Sequence, residues 1–312
     1  MIDYFCFVIK KETMLQRIRQ IIGRSTEDKF ERFPALFERE ILVAREARRI
    51  LVFDEAKNMV TDIDGIRVEC LKGKRIFPRT HVEQTVSVIA KIQELGGDLI
   101  SDYDDYSTIT NWHRKIPTKR GIVETTFGDF LAGKHNDLGD KVFLKTIVKD
   151  FSSVCVRKNG EWVYEKTGVP IAKRVKKAVG VMVSPVVKIA RDDDYIEREW
   201  RNFIIDDEPF TMNNYWTHEP LEEGYVIDWI RAKAAELKGI MPSCYCMDVM
   251  EYEADGGLEM DLVELNPPIA TGADLIPLAH NIFGVPFEDG YLRRARRQGL
   301  SVQKRAEASL GE

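Results

Sequence analysis

The sequence predicts an α/β protein built from α+β lobes, and three stretches carry that expectation. Residues 75–100 read as strand, helix and strand in close succession, which is a βαβ unit. Residues 141–166 read as successive antiparallel strands, and residues 245–265 as a long closing hairpin. At 312 residues the chain exceeds what one core usually holds, so two or three domains are expected. The boundaries this suggests are a helical N-terminal segment over 1–70, a small α/β domain over 71–135, a two-lobed domain over 136–290 and a basic tail over 291–312.

Apolar residues make up 44% of the chain and charged residues 31%, the balance of a packed and well-solvated protein, not a disordered one. The net charge of −5 gives no sequence-wide reason to expect nucleic-acid binding, which needs clustered Lys and Arg. No stretch approaches the roughly 20 apolar residues that span a bilayer, so no membrane partner is expected. The opening MIDYFCFVIKKE reads as a strand and not a signal peptide, because no basic region precedes it and no small-residue cleavage site follows. Five cysteines at scattered spacing fit reduced thiols in a cytoplasm. Cys244 and Cys246 share one face of a strand; a metal pair is one reading, but buried thiols are the better expectation.

Taken in order, Leu36, Phe37, Ile41, Ala44, Ala47, Ile50 and Leu51 form one apolar stripe, which predicts an amphipathic helix from about 35 to 53. Arg75-Ile76-Phe77 follows as a strand. Thr80-His81-Val82-Glu83 matches a capping box, and Val82, Val86, Ile89, Ile92 and Leu95 continue a helix that Gly96-Gly97 stops. Asp98-Leu99-Ile100 is the second strand. Further on come strands at Val142–Lys145, Val154–Val156 and Trp162–Tyr164, the last two flanking the turn Lys158-Asn159-Gly160-Glu161. Val179 to Ile189 is β-rich. Arg201–Ile205 and Phe210–Met212 flank a turn at Asp206-Asp207-Glu208-Pro209. Gly224 to Leu237 is a helix with Val226, Ile230, Ala234 and Leu237 on one face and Gly239 beyond its end.

The chemistry gathers on the closing hairpin. Asp248 sits on its first strand, and Glu264-Leu265-Asn266 ends its second, so Glu264 and Asn266 share a face. Pairing about the Ala254-Asp255-Gly256-Gly257 turn lets Asp248 lie across from them. Two carboxylates and an amide carbonyl are hard oxygen donors suited to magnesium. Lys145 ends a hydrophobic strand, and Lys149-Asp150-Phe151-Ser152-Ser153 reads as the turn after it, where a lysine and two hydroxyls can hold phosphate oxygens. Val181 to Ile189, including Lys188, reads as a strand entering a linker between lobes. Glu199 and Arg201 share one face of the E-W-R-N-F-I-I strand, and an Arg there can neutralise a transferring phosphoryl group.

In that order these features resemble the ATP-grasp superfamily, over roughly residues 140 to 275. The Glu199–Ile205 strand followed by Tyr215-Trp216 resembles most the compact group containing the cell-division-cycle translation-factor assembly proteins and small phage and bacterial relatives. The resemblance implies an ATP-grasp fold with ATP clamped between two lobes, and ATP and Mg²⁺ as cofactors. It implies Lys145 as the phosphate-binding lysine, Lys188 or Lys149 as a second nucleotide contact, Arg201 facing the γ-phosphate, and Asp248, Glu264 and Asn266 as metal ligands. Ser152, Ser153 and Glu199 complete the expected nucleotide contacts. The loop after Lys145 departs from many such enzymes in lacking a Gly-rich run. The commonest chemistry of the superfamily is a carboxylate–amine ligation through an acyl phosphate. An ATP-binding assembly protein and a kinase are the alternatives, and the acceptor is open among metabolite, peptide or protein, and modified polymer.

Remaining features are weaker. Asn266 to Asp274 can overhang the site after the metal strand, Lys173-Arg174-Val175-Lys176-Lys177 reads first as a solvated face, and His113 beside Trp112 is a lone histidine near the domain junction.

Overall fold

A computed structural model describes residues 3–9, 50–62, 64–79, 85–100, 109, 111–147, 151–173, 175–193, 195–216 and 221–268. Among them the strands, in chain order, are β1 (Tyr4–Ile9), β2 (Ile50–Asp54), β3 (Met59–Asp62), β4 (Arg75–Arg79), β5 (Asp98–Leu99), β6 (Val123–Thr126), β7 (Lys141–Thr146) and β8 (Ser152–Lys158). They continue with β9 (Glu161–Tyr164), β10 (Gly180–Pro185), β11 (Lys188–Ile189), β12 (Glu199–Ile205), β13 (Glu208–Asn214), β14 (Cys244–Ala254) and β15 (Gly257–Asn266). The α-helices are α1 (Thr85–Glu94), α2 (Phe127–Leu131) and α3 (Gly224–Leu237). Strands dominate, as the sequence predicts for α+β lobes.

The chain divides into two compact units: Met1–Ile109 with Glu199–Val249 and Glu264–Gly299, and Thr110–Arg198 with Met250–Val263 and Leu300–Glu312. In the first unit one sheet runs β3-β2-β1-β4-β5. β1 lies parallel to both β2 and β4, and β4 is parallel to β5 through α1, as expected of the βαβ unit. Cys6, Leu51, Phe53, Val60, Ile76, Val88 and Ile92 form the core of this sheet and helix. Burial pushes the Cys6 thiol up to about 12, so it stays a protonated apolar filler. Gly96 takes a left-handed φ of 77° to end α1. Gly97 has no room for a side chain, since a Cβ there would meet Ile92 Cγ2 at 2.9 Å.

One expectation is overturned here. Residues 50–53 are not the end of a helix but lie in β2, with four successive residues buried. β2 lies inside the sheet, parallel to β1 and antiparallel to β3, and is buried on both faces, so its apolar run lacks the alternation that marks a half-exposed strand. Residues 35–49, the Thr80–Glu83 capping box, Lys149, Arg174 and everything from Ile269 onward lie outside the described residues.

The rest of the first unit is β12 paired antiparallel with β13, next to the Cys244–Val249 part of β14, which in turn pairs with β15. The β12–β13 turn is shorter than expected. Asp206 and Asp207 make it alone, with φ of 58° and 65°, and Glu208 and Pro209 already belong to β13. Such a two-residue turn matches the strand twist. Arg75 donates through Nη1 to Asp206 Oδ2 at 2.7 Å and holds the turn to β4. The α3 residues Val226, Ile230, Ala234 and Leu237 are all buried, as their spacing predicts.

In the second unit a sheet runs β6-β10-β7-β8-β9, antiparallel throughout. Its core lies on one face, where Val142, Leu144, Cys155, Val181 and Val183 pack with Phe127 and Phe130 of α2 and with Trp162. Asn159 and Gly160, at φ of 51° and 80°, make the expected β8–β9 turn. β11 pairs with the far end of β14 through Lys188 and Glu253. No helix among the described residues is long and apolar enough to cross a membrane.

Candidate functional site

Each unit carries one group of the residues singled out by the sequence. In the first unit the period of two along β12 puts Arg201 on the face that meets Asp248 of β14. Both side chains are almost wholly buried, Arg201 at 6% and Asp248 at 1% exposure. Arg201 Nε donates to Asp248 Oδ1 at 2.8 Å and Nη2 to Oδ2 at 2.6 Å, a two-pronged pair. Asn266 Nδ2 donates to Glu264 Oε1 at 2.7 Å and reaches Asp248 Oδ2 at 3.4 Å. Asp248, Glu264 and Asn266 therefore come together as the sequence predicts. The two carboxylates converge on one amide nitrogen, with Arg201 supplying positive charge from the side.

Two carboxylates and an amide are a donor set that a hard divalent cation can use. A cation held by these residues would stand where the Asn266 N–H group now links the two carboxylates. Turning the amide over would present its oxygen instead. Among the described residues there is no group of three His, Cys, Asp or Glu side chains placed to hold a metal, so the amide is needed to complete the set. Cys246 touches Asp248 Oδ1 at 3.6 Å through its thiol, and both Cys244 and Cys246 are buried and unbridged. Burial drives the Cys244 thiol far above its ordinary range, which agrees with the apolar reading of this pair.

The sequence named Tyr215-Trp216 for the family resemblance alone, not for a place beside this pair. Tyr215, just beyond β13, lies with its ring centroid 4.5 Å from the Arg201 guanidinium carbon. Asn213 faces Arg201 across β12 and β13 and is buried. Pairing counted from the Asp206-Asp207 turn would put Met212 opposite Arg201; a register shift between Phe203 and Ile204 brings Asn213 there instead, and no local pattern in the sequence signals it. Glu199 heads β12, and its carbonyl accepts the Tyr215 N–H at 2.8 Å.

In the second unit Lys145 lies on β7, paired with Met182 of β10 on one side and Ser152 of β8 on the other. Leu144 points into the core, so Lys145 faces the opposite side of the sheet. Ser152 and Ser153 are not in a loop as expected but open β8, because Lys145–Ser152 and Leu144–Ser153 are ladder pairs. Alternation then separates them: Ser152 shares the Lys145 face, and Ser153 is on the core side with Leu144. Lys188 is exposed on β11 and pairs with Glu253 at 2.6 Å.

The same face holds a cluster the sequence left incomplete. Glu124 of β6 pairs with Met182, which makes a cross-strand row of Glu124, Met182, Lys145 and Ser152. His113 Nε2 lies 2.8 Å from Glu124 Oε2, and Arg114 Nε bonds the same oxygen at 2.5 Å. Arg114 first, and His113 with it, hold the Glu124 carboxyl down at about 2. His113 was noticed in the sequence but its partner was not, since eleven residues and a change of element separate them. Elsewhere in the second unit, the Arg120–Asp261 pair at 3.2 Å is buried, and Arg120 also donates to the Leu262 carbonyl.

Two solved structures share this architecture. D-alanyl-alanine synthetase A from Vibrio cholerae O1 biovar eltor aligns over 96% of this chain and 99% of its own at 10% identity and a TM-score of 0.50. D-alanine-D-alanine ligase from Coxiella burnetii aligns over 99% of both chains at 10% identity and a TM-score of 0.50. At such identity they speak for the fold. No curated protein matches the chain in sequence. A family model for an ATP-grasp domain, the second family of its clade, matches residues 118–277, a span that takes in β6 through β15. The chain thus has the ATP-grasp fold that its strand Lys, E-x-R strand and E-x-N strand suggested, and it belongs to this ATP-grasp domain family.

Proposed function

We propose that this protein is an ATP- and Mg²⁺-dependent ligase that joins a carboxylate to an amine through an acyl phosphate. The observation that carries the reading is the buried network of Arg201, Asp248, Asn266 and Glu264, in which two carboxylates converge on one point beside a buried guanidinium. Family membership supports ATP as the nucleotide, and ligation is the commonest chemistry that the ATP-grasp resemblance implies. The likeness of the Glu199–Ile205 strand and Tyr215-Trp216 to the translation-factor assembly group belongs to this proposal and needs a partner-binding test of its own.

In this reading Asp248, Glu264 and Asn266 hold the cation. Bound there, Mg²⁺ supplies charge neutralisation between nucleotide phosphates. Arg201 faces the γ-phosphate and offsets charge on the transferring group, for which a planar guanidinium suits a trigonal array of oxygens. Lys145 contacts phosphate oxygens from its sheet face, Ser152 beside it adds a hydroxyl, and Lys149 or Lys188 gives a second cation. Glu199, on the Arg201 face of β12, stands as a further nucleotide contact, and Ser153, turned to the core side of its sheet, is the one expected contact that this arrangement does not favour. The protein contributes position and electrostatics and forms no covalent bond to the substrate.

The substrate carboxylate would attack the γ-phosphorus, ADP would leave, and an amine would then displace phosphate from the acyl carbon to form an amide. One oxygen of the carboxylate leaves with the phosphate. A panel of amino acids and peptides labelled with ¹⁸O in the carboxylate, incubated with ATP, Mg²⁺ and amines, tests this directly. Labelled inorganic phosphate with an amide product is the expected result. A phosphorylated acceptor without inorganic phosphate would identify a kinase and defeat the ligase reading.

A further inference from the structure

We propose that Tyr215 is a positioning residue for Arg201, holding the guanidinium in place when a divalent cation draws Asp248 away from it. This rests on the proposed function, in which Asp248 serves the cation and Arg201 serves the nucleotide. Without metal the two serve each other: both Asp248 oxygens accept from Arg201. A cation bound through those oxygens weakens these charge-assisted bonds, and the arginine loses its fixed edge at the moment it must face phosphate.

Tyr215 supplies a second, independent constraint. Asp248 grips the guanidinium along its edge, which fixes rotation in the plane. The guanidinium carbon lies 4.5 Å over the centroid of the Tyr215 ring, so the aromatic face holds the cationic group through a contact separate from the Asp248 bonds. The face contact does not involve Asp248, so it survives the departure of that partner. A long arginine stem without it would have to be ordered again as the nucleotide arrives, at a cost in side-chain entropy.

The ring is itself well anchored. The Tyr215 N–H donates to the Glu199 carbonyl at 2.8 Å, two residues from Arg201 on the same strand. Its ring meets Trp216 edge-on, with centroids 5.2 Å apart and planes at 74°. The Trp216 N–H bonds Asn214 Oδ1 at 2.8 Å, which turns the chain sharply after β13. The first of these contacts ties residue 215 to β12, the element that carries Arg201, and the others order the chain on either side of it.

The aromatic face, not the hydroxyl, holds the arginine, so Tyr215→Phe and Tyr215→Leu separate the two. Mn²⁺ binding to the protein alone, followed by electron paramagnetic resonance, reads the carboxylates. Calorimetry with Mg·ATP reads the arginine. Tyr215→Phe is expected within about twofold of wild type in both, while Tyr215→Leu keeps Mn²⁺ binding within about twofold but weakens Mg·ATP about tenfold or more. Mg·ATP binding by Tyr215→Leu within about twofold of wild type, or equal losses in the Phe and Leu variants, would overturn the inference. Should circular dichroism show Tyr215→Leu unfolded, Tyr215→Met makes the same comparison. Folded wild-type protein that binds no Mg·ATP would instead overturn the proposed function, so the two failures are distinguishable.

Discussion

Arg201 and Asp248 illustrate how burial decides the worth of a residue. Each would be costly alone in the protein interior, and together they satisfy each other through two hydrogen bonds. Removing one partner leaves a buried charge, so Arg201→Ala and Asp248→Ala should each lose about 3–5 kcal/mol in denaturant titrations. The double variant should lose less than the sum, and additivity would show that the pair is not coupled. Glu124 gives a prediction in pH. Its folded-state pKa of about 2 lies below the ordinary 4.5, so its ionised form stabilises the fold fully above pH 4.5. That contribution fades as pH falls toward 2, and Glu124→Gln should flatten the acid limb of a stability–pH profile over that window. An unchanged acid limb would contradict the Arg114–Glu124–His113 cluster. Residue by residue, Asp248, Glu264 and Asn266 were legible because a period of two fixes which side chains share a strand face. Tyr215 was not, because its place depends on how the chain turns after a strand ends, and no periodicity encodes that.

Among elements, the hairpins and the helix α3 were readable from local chemistry: Asn-Gly in one turn, and four apolar residues at helical spacing. The misreadings have a common cause in tertiary context. Ile50-Leu51-Val52-Phe53 continues a helical stripe in the sequence, yet β1 on one side and β3 on the other draw it into a sheet. Ser152 and Ser153 look like loop residues, but pairing with Lys145 and Leu144 extends β8 through them. The same substitution at two glycines tests the element boundaries with opposite signs. Gly97→Ala puts a Cβ 2.9 Å from Ile92 Cγ2 where α1 meets β5, and should cost about 1–3 kcal/mol. Gly224→Ala at the start of α3 meets nothing within 4 Å, and should raise stability by up to about 1 kcal/mol. Thermal melts of both variants check the pair, and a loss at Gly224 would contradict the open setting of that helix start.

At the scale of the whole molecule the expected ATP-grasp architecture is present, and the family model covers the strands that carry every described candidate residue. A ligand that binds only the folded state stabilises by mass action, about 2.7 kcal/mol at a hundred times its dissociation constant. Mg·ATP should therefore raise the melting temperature, and ATP with a chelator should not. The most direct test of the central claim is calorimetric titration of ATP with and without Mg²⁺ into the wild type and a Lys145→Ala, Glu264→Ala double variant. Micromolar binding that requires Mg²⁺ and is lost in the folded variant is the predicted result. No binding by folded wild-type protein, or equal binding by the variant, would contradict a magnesium–ATP site built from these residues.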